Sequence, residues 1–181
     1  MEAVITTENE TQVSTHIAPV LVLGLGNILL QDEGVGVHVV RKLQREYRFP
    51  PGVELLDGGT AGMALYDDLI DRSHIIVIDA VNAGKPPGTL LSLTTEQVPS
   101  FFRNKVSPHQ MALADILAAL DIMGKKPADI SVFGVQPKDL ELGLELSETL
   151  QSCVDPLVGQ VMARLQELGY APERSEVAPA G

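Results

Sequence analysis

Glu33, Asp79 and His109 are the side chains of this 181-residue sequence whose types and positions could do chemistry together. Glu33 follows the apolar run "VLVLGLG" (20–26), Asp79 closes a second such run, "HIIVIDA" (74–80), and His109 stands in "SPHQ" at the head of a helical stretch. A carboxylate at the end of a run that should be buried needs a partner or a metal, because an unpaired buried charge is costly. A histidine in the first turn of a helix resists protonation, since the helix dipole disfavours added positive charge there, and the neutral imidazole can ligate. One imidazole with two carboxylates is a donor set for zinc and nickel-like ions. Each residue also has a plainer reading: Glu33 as an acid at the positive end of a helix, His109 as a surface histidine near a cap.

The two apolar runs that lead to the acids are short, continuous and rich in β-branched residues, the pattern of parallel strands buried on both faces. Val35, Val39, Val40, Leu43 and Tyr47 then recur at helical spacing, with Asp32 expected as N-cap, a role Asn could fill at a cost of a few tenths of a kcal/mol. "VELLD" (53–57) reads as a strand, "AGMALYDDLID" (61–71) as a short helix and "TLLSL" (89–93) as a strand after the "KPPG" turn. The connection from Asp79 to Thr89 is too short for a parallel crossover, so 89–93 is expected antiparallel at an edge. In "SPHQMALADILAALDIMG" (107–124) Ser107 is the expected N-cap, Pro108 the first helical residue, Gln110 the closing member of a capping box and Gly124 the C′ residue. "DISVFGV" (129–135) gives a fifth strand, and Ser147 to Leu168 a final amphipathic helix kinked at Pro156. The order βαβαββαβα implies a three-layer α/β domain over residues 18–170, with mobile tails at 1–17 and 171–181. In such sheets ligands gather beyond the C-terminal ends of the parallel strands, where Glu33, Asp79 and His109 all map.

"DGGTAG" (57–62) falls on the same edge. Its glycines could shape a tight turn or let a peptide backbone approach, with Asp57, Gly58, Gly59 and Thr60 as substrate-binding or turn-shaping residues. His16, His38 and His74 map away from the cluster and read as structural. Cys153, the single cysteine, reads as a small buried apolar residue and excludes an intrachain disulfide or a Cys-rich metal site.

The formal net charge of -11 disfavours nucleic acid and suits a basic or neutral protein partner. The N-terminal segment has neither a basic region nor an apolar one, and no run is long and apolar enough to span a bilayer, so a cytoplasmic protein without membrane insertion is expected. HExxH, GxSxG and GxxxxGK[ST] are all missing. A dinucleotide site needs G-x-G-x-x-G, whereas Gly24-Leu25-Gly26-Asn27-Ile28-Leu29 lacks the third glycine, and Asp32 and Glu33 would repel a pyrophosphate. No nucleotide cofactor is expected.

Together, "GLGNILLQDEGVG", "LLDGGTAG", "IIVIDAV" and "KVSPHQ" closely resemble the hydrogenase maturation endopeptidases, which finish the large subunit of nickel-iron hydrogenases; the resemblance runs in register over about residues 20–168. It implies a three-layer αβα fold of phosphorylase/hydrolase-like type, with a mixed, mostly parallel, five-stranded twisted sheet. It implies a protease that removes a C-terminal extension from the nickel-loaded large-subunit precursor. The metal ligands and catalytic residues of the family fall on Glu33, Asp79 and His109, and the divalent metal is nickel presented by the substrate. Two mechanisms stay open: the nickel polarises the scissile carbonyl, or a carboxylate activates water as in an aspartic-type peptidase. A noncatalytic nickel-binding maturation chaperone would use the same three residues.

Overall fold

The structure, a computed structural model, describes residues 17–102 and 108–175; all but the last residue of the expected N-terminal tail (1–17), the Ser107 cap and residues 176–181 lie outside the described residues. In chain order the elements are β1 (Val20–Leu25), α1 (Val35–Glu46), β2 (Tyr47–Arg48), β3 (Val53–Gly59), α2 (Tyr66–Leu69), β4 (His74–Ala80), β5 (Leu90–Leu93), α3 (Val98–Phe102), α4 (Pro108–Ile122), β6 (Asp129–Val135), α5 (Glu148–Gln151), α6 (Val154–Glu167) and β7 (Glu173–Arg174). The five-stranded sheet has the order β3-β1-β4-β6-β5. β3, β1, β4 and β6 run parallel, and β5 pairs antiparallel with β6 at the edge, as the short 79–89 connection requires.

Strand alternation sends successive side chains to opposite faces, which divides the core in two. Val20, Val22, Ile76, Ile78, Phe133 and Val135 face Val39, Val40 and Leu43 of α1 and Leu157, Val158, Val161 and Leu165 of α6. Leu21, Leu23, Ile75, Val77, Ile130 and Val132 face Leu69 of α2 and Leu113, Ile116 and Leu120 of α4. Helices therefore cover both faces of a mostly parallel sheet, giving the three expected layers. Full burial of each Leu, Ile or Val contributes about 1.5–3 kcal/mol. α4 ends as expected, with the N–H of Lys125 bonded to Leu120 O at 2.8 Å and that of Gly124 to Asp121 O at 3.1 Å.

Four local expectations are corrected. Asp32 is not the N-cap of α1: it lies inside a 3-10 turn, Gln31–Gly34, and Gly34 precedes α1 without a side-chain cap. The stretch 147–168 is two helices rather than one kinked helix. Ser147 caps α5 by accepting from the N–H of Leu150, and α6 restarts at Val154, so Pro156 occupies its first turn, where a missing N–H costs no intrahelical bond. The stretch 61–71 divides into a 3-10 turn, Gly62–Leu65, and the single-turn α2. Beyond Tyr170 the chain continues into β7, which pairs with β2, so the stretch read as a tail begins with ordered chain. Two-residue strands leave no periodicity to read.

Candidate active site

The C-terminal ends of β1, β3, β4 and β6 form one rim. Close backbone packing sets the position of Glu33 there. Gly26 directly follows β1 at φ 121°, and a Cβ on it would fall 1.7 Å from the carbonyl oxygen of Glu33. Gly36 opens α1 against the strands, and a Cβ there would fall 2.1 Å from Ile78 O, the carbonyl directly before Asp79. Only glycine permits either approach. The "GLGN…EGVG" spacing thus presses the turn carrying Glu33 onto the ends of β1 and β4, leaving the Glu33 side chain half-buried.

Asp79 is fully buried at the end of β4. Its Oδ2 accepts from the Gln110 amide at 2.8 Å, and the same Nε2 donates to Ala80 O at 3.0 Å. Gln110, read from spacing as part of a capping box, is buried and spends its amide hydrogens on the site. It stands one residue after His109, in the first turn of α4, so the helix end that carries His109 is tied directly to the Asp79 strand. His109 belongs to that turn by its backbone, and its side chain lies outside the described residues. Among the described residues no group of three His, Cys, Asp or Glu side chains is gathered to hold a metal ion.

The neighbouring acid, Asp32, has a different task. Fully buried, it accepts from the N–H groups of Lys138 (2.9 Å) and Asp139 (2.8 Å) through Oδ2 and from that of Ser147 (2.7 Å) through Oδ1, while the Ser147 hydroxyl donates to Oδ2 at 2.9 Å. Burial alone would raise its pKa, but the bonds from the Asp139, Ser147 and Lys138 backbone and the Ser147 hydroxyl outweigh it and hold the carboxyl below its ordinary value. The loop between β6 and α5 is thereby clamped beside Glu33, with Leu30 bridged to Gly143. No local signal announces this role, because every partner lies more than a hundred residues away.

Asp57, at the end of β3, holds Arg41 of α1 through Oδ2, with Arg41 Nε at 3.0 Å and a terminal guanidinium nitrogen at 2.8 Å. Gly58 is buried, Thr60 is exposed, and Gly59 O accepts from Gly26 N at 3.0 Å, which ties the "DGG" turn to the end of β1. These residues shape the rim next to Glu33. Gln136, at the end of β6, fastens the loop after β4 by accepting from the N–H groups of Ala83 (2.8 Å) and Lys85 (3.1 Å). Cys153 is buried, as read. His38 and His74 each carry a buried ring nitrogen with no hydrogen-bond partner, and neither joins Glu33 and Asp79.

The family model for hydrogenase maturation proteases matches residues 37–164. The chain belongs to the hydrogenase maturation protease family. It is 47% identical over 151 residues to the hydrogenase 2 maturation protease of Escherichia coli, covering 83% of this chain and 92% of that one. It is 41% identical over 168 residues to the hydrogenase expression/formation protein HupM of Azotobacter chroococcum, covering 89% and 80%. The structure of the hydrogenase maturating endopeptidase HybD from Escherichia coli superposes with a TM-score of 0.83 at 45% identity, over 86% of this chain and 96% of that one. The [NiFe] hydrogenase maturation protease HybD from Thermococcus kodakarensis follows the same fold, with a TM-score of 0.67 at 26% identity over 80% and 97%. As a member of this family the chain is a hydrogenase maturation endopeptidase. Among its described residues no helix is long and apolar enough to cross a membrane.

Proposed function

We propose that this endopeptidase removes the C-terminal extension of a nickel-iron hydrogenase large-subunit precursor after nickel insertion, and that Glu33, Asp79 and His109 grip the nickel that the precursor carries. The observation that carries the reading is a fully buried carboxylate, Asp79, held at the strand end by Gln110 beside a glycine-built turn that brings Glu33 to the same rim. Two carboxylates and an imidazole suit a nickel-like ion.

The two acids divide the work by their surroundings. Asp79 is immobilised inside the rim and orients the bound group. Glu33, half-buried and within reach of solvent, takes a proton from the attacking water as it adds to the scissile carbonyl. Glu33 then returns that proton to the departing amine as the peptide bond breaks. Nickel in the substrate supplies charge stabilisation at the carbonyl oxygen and marks the precursor as loaded.

The test is incubation of nickel-loaded precursor with the purified protein, followed by mass measurement. Loss of a C-terminal peptide from the loaded precursor, and not from the nickel-free one, is the expected result. An intact precursor held in a stable complex would instead make the protein a binding chaperone.

A further inference from the structure

Several large apolar side chains stand exposed on the loop that Asp32 clamps. Leu142 is 85% exposed, Leu144 65% and Leu140 49%, and Leu29, on the segment bridged to this loop, is 54% exposed. Single exposed leucines are ordinary on a protein surface, but a group of them in one short stretch needs a reason. An unsupported loop could expose them by fraying. This loop is supported: besides the bonds to Asp32, the N–H of Gly143 donates to Leu29 O at 3.0 Å and the N–H of Gln31 donates to Gly143 O at 3.0 Å. The leucines are therefore held outward by a structure ordered beneath them.

The position of the patch narrows its occupant. Leu29 lies on the chain segment that leads into the turn of Glu33, and Gly143 of the loop is bridged to the adjoining Leu30, so whatever covers these leucines lies beside the rim that carries Glu33. Acidic residues alternate with the apolar ones in "DLELGLELSE" (139–148), and Glu141, Glu145 and Glu148 are all exposed. Exposed leucines and exposed glutamates therefore share one short loop.

We infer that the Leu29–Leu140–Leu142–Leu144 patch is the docking surface for the precursor, receiving an apolar segment of the large subunit bordered by Lys or Arg side chains. The inference rests on the proposed function for the identity of the partner. Apolar contact supplies binding, and the interleaved glutamates select a basic partner and speed encounter. Glu33 and Asp79 then act on a chain already anchored beside them.

The experiment compares the parent with the Leu142→Gln/Leu144→Gln double variant, and with Leu142→Gln alone should the double variant fail to fold. Cleavage of nickel-loaded precursor is followed at several precursor concentrations, and precursor affinity is measured separately by calorimetry. The expected result is a KM and a Kd raised at least about fivefold with kcat retained, the loss expected for truncating a contributing interface residue. Glu141→Lys/Glu145→Lys should raise KM as well, and added salt should shrink that effect. Unchanged KM and Kd in the leucine variants would overturn the proposal. So would a parent that self-associates through the patch, shown by sedimentation of a dimer that the variants abolish without a change in precursor affinity. If the parent binds precursor without cleaving it, the peptidase reading fails, and the Kd comparison still decides the docking surface.

Discussion

The Asp32 carboxylate grips Ser147 at two points, taking its backbone N–H on Oδ1 at 2.7 Å and its hydroxyl on Oδ2 at 2.9 Å, across a separation of 115 residues. The same serine caps α5. One buried acid next to Glu33 thus fixes where a helix far along the chain begins, and with it the loop that borders the candidate active site.

Asp32→Asn should therefore be costly, not the mild exchange expected of an N-cap. Whichever way the amide is turned, its NH₂ faces a backbone N–H that Asp32 now satisfies, leaving a buried donor unpaired at about 1–3 kcal/mol. Urea denaturation should show a lowered midpoint of that size. A midpoint equal to the parent's would show that the clamp contributes nothing.

Glu33→Gln, Asp79→Asn and His109→Ala should each abolish or severely reduce precursor cleavage while the fold persists. Asn at 79 still offers a carbonyl to Gln110 while removing the charge. Cleavage assays paired with circular dichroism check this, and near-parental cleavage by any one variant removes that residue from the site.

Gly36→Ala should disturb both stability and activity. Its methyl would press on Ile78 O and Leu25 O, so α1 must lift away from the strand ends, carrying the Glu33 turn with it. Overpacking of this kind costs about 1–3 kcal/mol. A thermal midpoint and cleavage rate matching the parent would show that the close approach is dispensable.

His38 should make stability fall on mild acidification. Burial, then the Arg41 charge, lowers its pKa, and Asp57 only partly opposes them. A depressed pKa means that the unfolded chain binds the proton more readily. The contribution is therefore full above the unfolded value of about 6.5 and is lost as pH falls through the folded one. Urea midpoints at pH 8 and pH 5 should differ less in His38→Leu than in the parent. An identical difference in both proteins would assign the acid sensitivity elsewhere.

Much of the fold was legible because it rests on local signals. The apolar runs at 20–26, 74–80 and 129–135 are buried strands, and the short link after Asp79 forces β5 to the antiparallel edge. The glycine spacing around Glu33 and the polar end of the 74–80 run pointed to the rim where the structure places Glu33 and Asp79. Tertiary structure alone decided the work of Asp32 and Gln110. Each fits a helix-capping pattern by spacing, yet each spends hydrogen bonds on chain that only folding brings near: Asp32 on residues 138, 139 and 147, and Gln110 on Asp79. The break between α5 and α6 has the same origin, since Ser147 is held from outside by Asp32 while Pro156 suits the first turn of a new helix. Periodicity and capping preferences report what a segment can do with its own neighbours in sequence. A buried carboxylate or amide is satisfied by whichever donors and acceptors the packed layers deliver, and those arrive only with the fold.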